Sequence, residues 1–203
     1  FYTRLIKAAT ESGLTLWITR GVLEEIERHM NRSTVCARTE ANGWQGRVPF
    51  LYSVYISSGR QNSQFGGWLD QFKGDLMPEE DIAEYLEREF AVQVGSLEAD
   101  AAKSALELRA AVQEVWHRIH DARRGHWFWE LDNMTIHRLV EHDVENYLGV
   151  IGKRRQEKAS AFGFSSWWLT LDRTAAECQH AIQDRLKEKV PLSPVLSPDF
   201  LLN

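Results

Sequence analysis

Cysteine is scarce in this chain: Cys36 and Cys178 are the two in 203 residues, far apart and without any C-x-x-C spacing. That excludes a disulfide framework, leaves no spacing for a structural zinc, and points to reduced thiols in a cytoplasmic protein. Long apolar runs are absent too. None approaches the roughly 20 residues of a membrane-spanning helix, and the first residues lack the charged-then-apolar pattern of a secretory signal, so no membrane contact is expected. Net positive charge is also missing. A formal charge of −5 and a pI near 5.8 give no global basic footprint, so any contact with nucleic acid has to be local. There are no repeats or low-complexity tracts. No H-E-x-x-H motif occurs, and His117, His120, His137 and His142 show no metal-ligand spacing, so they read as structural or surface residues.

What the chain does have is apolar content, 43% of residues, ample for the core of one large domain spanning 1–203. Tyr2, Leu5, Ile6 and Ala9 follow helical spacing from the start, and an opening of Phe-Tyr-Thr rather than Met reads as a piece of a longer polypeptide, with upstream parts as partners. Gly13 ends that helix, Leu14–Ile18 reads as a buried strand, and Thr19 as the N-cap of a helix from Arg20 to Met30 with Val22, Leu23, Ile26 and Met30 inside. Residues 31–90 read as a large α-helical insertion: Gly43, Gly46, Pro49, Gly59 and Gly66-Gly67 punctuate helical pieces over Phe50–Ser57 and Phe65–Phe72, and Pro78-Glu79-Glu80-Asp81 opens another to Phe90. A short strand at Val92–Val94 precedes one long helix, Ala99–Ala122, with Leu106, Leu108, Val112, Val115 and Ile119 inside. Trp167–Leu171 reads as a strand covered on both faces, Arg173–Lys187 as a helix, Val190–Leu196 as an edge strand, and Phe200–Leu202 as a last turn. Strands alternating with helices predict an α/β sandwich with a mainly parallel sheet.

Two carboxylates stand where a bland domain would not put them. Asp143 falls inside the apolar arc defined by Leu139, Val140, Val144, Tyr147, Leu148, Val150 and Ile151, about 60° from its centre at about 100° per residue. Asp172 closes the Trp167 strand, where open α/β sheets form their ligand crevice. An ionised carboxylate facing an apolar layer is costly unless paired or bound to a cation. With Glu25, which lies nearer the apolar edge of its helix than Glu24, these acids offer hard oxygen ligands suited to Mg²⁺ or Mn²⁺, ions that orient a water and neutralise a phosphodiester. The basic run Lys153-Arg154-Arg155-Gln156-Glu157-Lys158 is either a helix-dipole complement or a phosphate contact. Arg123 to Trp129 mixes cations and rings, as a base-stacking surface or simple packing would.

Three segments together resemble the PIN-domain family of metal-dependent nucleases: Ile18-Thr19-Arg20-Gly21-Val22-Leu23-Glu24-Glu25-Ile26, His142-Asp143-Val144, and Trp168-Leu169-Thr170-Leu171-Asp172. The resemblance covers residues 1–30 and 91–203. It implies a Rossmann-like three-layer α/β/α sandwich and a divalent-metal-dependent nuclease hydrolysing phosphodiester bonds in RNA or, in some branches, structured DNA. It makes Glu25, Asp143 and Asp172 the catalytic metal ligands for Mg²⁺ or Mn²⁺, with Thr170 positioning a ligand or water and Lys153, Arg154 and Arg155 steering the backbone. The chain departs from the family in one respect, because the characteristic Asp at the end of a first strand would lie upstream of residue 1. A catalytically degenerate interaction module is the alternative, and a third is an unrelated α/β or helical protein in which Asp143 simply pairs with an arginine.

Overall fold

The computed structural model describes residues 2–39, 48–124, 131–158, 161, 163–187 and 190–197, and divides the chain into two units, Phe1–Gly95 and Ser96–Asn203.

In the first unit, α1 (Tyr2–Glu11) ends at Gly13, whose φ of +84° is the left-handed conformation that glycine adopts without penalty. Strand β1 shrinks to Trp17–Ile18 because Thr19 already occupies the N-cap of α2 (Arg20–Arg38), so the chain turns helical before a longer ladder can form. Leu23, Met30 and Cys36 of α2 pack with Tyr52 and Tyr55 of α3 (Phe50–Ser57), Phe65 and Leu69 of α4 (Phe65–Leu69) and Ile82 of α5 (Pro78–Phe90). Phe65 meets Tyr52 and Tyr55 edge-on, at centroid distances of 5.1 and 4.9 Å, the arrangement that the ring quadrupoles favour. Both hydroxyls keep partners: Tyr52 donates to Asn62 Oδ1 (2.8 Å) and Tyr55 to the Gln61 carbonyl (3.0 Å). Pro78 and three acids occupy the first turn of α5, where a missing N–H and negative charge cost least. Strand β2 (Gln93–Val94) then pairs with β1 in parallel.

The second unit is built around α8 (Asn133–Arg154). Asp132 caps it, accepting from the Thr135 N–H at 2.6 Å, and residues 146–152 are buried without interruption, as befits a helix covered on all sides. Against it lie α6 (Glu98–Ala101) and α7 (Leu106–Arg123), and α9 (Arg173–Leu186) packs on α7. Val112, Val115 and Trp116 of α7 meet Ile136, Val140, Val144, Tyr147 and Leu148 of α8 and Cys178 and Ile182 of α9 in one core. Strand β3 (Trp168–Leu169) pairs in parallel with β4 (Val195–Leu196).

The expected Rossmann-like three-layer sandwich with a mainly parallel sheet is overturned. About 66% of the described residues are helical, and the strands among them form two separate two-stranded ribbons. The physical reason is visible at β3. Trp167, Leu169 and Leu171 are exposed, and only Trp168 and Thr170 turn partly inward, so the segment is not the doubly covered central strand its apolar run suggested. The burial expected of a sheet is supplied instead by α8, helix against helix.

The single helix expected over Ala99–Ala122 is two. Lys103 and Ser104 donate to the carbonyls of Asp100 and Ala101, Ala105 turns extended, and α7 begins afresh with Leu106, expected inside, left exposed. The break lets α6 lie close on α8: the Leu97 N–H reaches Glu145 Oε1 (2.9 Å), and a Cβ at Gly149 or Gly152 would run into Leu97 or the backbone of Asp100. Gly125–Trp129 and Phe200–Leu202 lie outside the described residues. No helix among those described is long and apolar enough to cross a membrane.

These glycines yield a test. Gly152→Ala is expected to lower stability by about 1–3 kcal/mol in urea unfolding, since backbone rather than a flexible side chain opposes the new methyl. Gly66→Ala, in α4 with nothing within 4 Å of the added carbon, is expected to be neutral or to gain up to about 1 kcal/mol.

Candidate functional site

The last turns of α7 carry Trp116, His120 and Arg123, spaced about one turn apart along neighbouring positions of the helix. His120 and Arg123 meet the two acids singled out above. His120 is 7% exposed, its ring stacked on Trp116 (6.0 Å, 28°), and its Nε2 lies 2.6 Å from Asp143 Oδ2. One turn on, Arg123 donates from Nη1 to Asp172 Oδ2 (2.8 Å) and from Nη2 to Asp172 Oδ1 (2.7 Å), a bidentate fork that also reaches Thr174 Oγ1 (2.6 Å).

Asp172 has a second task. It is the N-cap of α9, and its Oδ1 accepts from the Thr174 N–H (2.9 Å) and the Thr174 hydroxyl (2.7 Å). Burial alone would push this carboxyl up, but the Arg123 and Thr174 hydrogen bonds outweigh it and hold the group below the ordinary carboxylate range. Arg123 is raised correspondingly, chiefly by the same hydrogen bond to Asp172 and further by the charges of Asp172 and Asp143. Thr170, predicted to position a ligand or water, instead accepts the backbone N–H of Asp172 at 3.1 Å and shapes the turn into α9.

The thiol of Cys178 lies within the field of both acids. Burial, followed by the charges of Asp143 and Asp172, pushes it up to about 12, and its Sγ points to the Thr174 carbonyl (3.5 Å). Burial and these charges keep the thiol protonated at neutral pH.

The structure therefore brings Asp143 and Asp172 to one cluster. Glu25 belongs to the first unit, half-buried on α2 with His29 in its electrostatic reach. The basic run at the end of α8 divides by residue. Arg154 is 6% exposed; its Nε donates to Ser166 O (2.9 Å) and its Nη1 to Leu192 O (3.2 Å) and Ser193 O (2.9 Å), with the rings of Phe164 and Trp167 each 4.3 Å away. It fastens the loops flanking β3 and β4 to α8 rather than facing solvent. Arg155 donates to the Lys103 carbonyl (2.9 Å), and Lys153 is half-buried on the preceding turn.

No family model, curated protein or solved structure matches this chain. The site has to be read from its own chemistry. Carboxylate oxygens suit Mg²⁺ or Mn²⁺ in kind, but the pair present is already met by His120 and Arg123. Among the described residues no group of three or more His, Cys, Asp or Glu side chains is disposed to hold a metal ion. As arranged, both oxygens of Asp172 accept from Arg123, so a cationic side chain already occupies this carboxylate.

The sequence offers His120 as a structural or surface residue and Arg123 as part of a cation-and-ring cluster, without pairing either with the two acids. A signal existed. On the wheel that places Leu108, Val112, Val115 and Ile119 inside, Arg123 falls about 50° from the centre of the apolar face, much as Asp143 does on its own helix, while His120 lies about 110° away.

Two outcomes follow for measurement. The Arg123–Asp172 pair, each side chain about 30% exposed, is expected to contribute about 1–3 kcal/mol, between surface and buried pairs. Because the folded carboxyl is depressed, that contribution is fully present above the unfolded value near about pH 4 and is lost as pH falls through the folded value. Asp172→Asn should thus be less stable than wild type in urea unfolding at neutral pH, with the gap closing as the pH falls below the ordinary carboxylate range. Separately, Cys36 and Cys178, both buried, should resist iodoacetamide at about pH 8 in the native protein and react once denatured, as read by intact mass.

Proposed function

We propose that the paired acids act as interhelical locks and that the chain works as a non-catalytic helical module. One observation carries this reading: Asp172 spends both oxygens on Arg123 while its Oδ1 also caps α9. A carboxylate held by this many charge-assisted donors gains little from a metal ion and would have to surrender Arg123 to take one. Asp143, likewise, has the buried His120 ring at hydrogen-bond distance.

A second reading, Mg²⁺- or Mn²⁺-dependent hydrolysis of RNA, is favoured by a different feature. Asp143 and Asp172, from distant segments that resemble PIN-domain motifs, are gathered on one face of α7 and act together on Arg123 and Cys178. In that reading Arg123 has to withdraw from Asp172 before the acids can serve an ion.

Thermal unfolding with and without Mn²⁺ separates the two. The lock reading expects no Mn²⁺-dependent change in Tm for the wild-type chain, and a Tm lowered by several degrees in Arg123→Gln whether or not Mn²⁺ is present. A Mn²⁺-induced rise in the wild type that Asp143→Asn abolishes, accompanied by cleavage of single-stranded RNA, would overturn it in favour of the hydrolase.

A further inference from the structure

We draw no further inference here: the strongest candidate, the outward face of the β3–β4 ribbon where Trp167, Leu169 and Leu171 stand exposed at alternate positions, carries nothing because nothing in the structure shows what covers it.

Discussion

A guanidinium at the end of one helix grips a carboxylate at the start of another, and much of the second unit depends on that grip. Arg123 lies at the C-terminus of α7, where backbone carbonyls leave partial negative charge, and Asp172 at the N-terminus of α9, where N–H groups leave partial positive charge. Each side chain complements its own helix terminus as well as its partner. The fork geometry fixes the approach of the two helices in a way a lysine could not, since only a planar guanidinium presents two parallel donors. One turn earlier, His120 and Asp143 join α7 to α8 by the same device. These two polar contacts link three helices beside their shared apolar core.

Such contacts tie the stability of the unit to the exclusion of competitors. A divalent cation and an arginine seek the same carboxylate oxygens, and the winner is the one whose other interactions are already in place. Arg123 has a third contact, to Thr174, and its helix is anchored beside Trp116 and Val115 in the core, so little ordering entropy remains to be lost when it binds. An ion would have to shed water and find further ligands. The thiol of Cys178 reflects the same balance: it lies close to two negative charges and stays protonated.

The first unit is packed around rings. Its core is rich in aromatic rings, with Tyr52 and Tyr55 meeting Phe65 edge-on and Trp68 tilted against Phe65, and with Tyr hydroxyls directed at Asn62 and the Gln61 carbonyl. Large rigid rings lose little rotamer freedom on burial, which suits short helices such as α3 and α4 that would not persist alone. In both units the strands are brief, because helix caps and prolines interrupt the backbone before a sheet can widen.

Local chemistry, which the sequence by itself determined, covers much of the secondary structure and the oddity of two residues. The helices at Phe50–Ser57 and Pro78–Phe90 follow from punctuation and first-turn acids, the stop at Gly13 from its positive φ, and the inward placement of Asp143 from its position on the helical wheel. Those are properties of neighbours along the chain. Tertiary structure alone decided what the inward acids meet, because an apolar arc containing a carboxylate predicts a cation without saying whether it is a metal, a histidine or an arginine. It also decided that the Trp167 run would be half exposed and that Arg154 would turn inward onto carbonyls, since burial depends on which elements arrive to cover a segment. The layer architecture was illegible for the same reason. Short apolar runs suit a buried strand and the buried face of a helix equally well, and here the long α8, covered on all sides, took the central place that a sheet would have held.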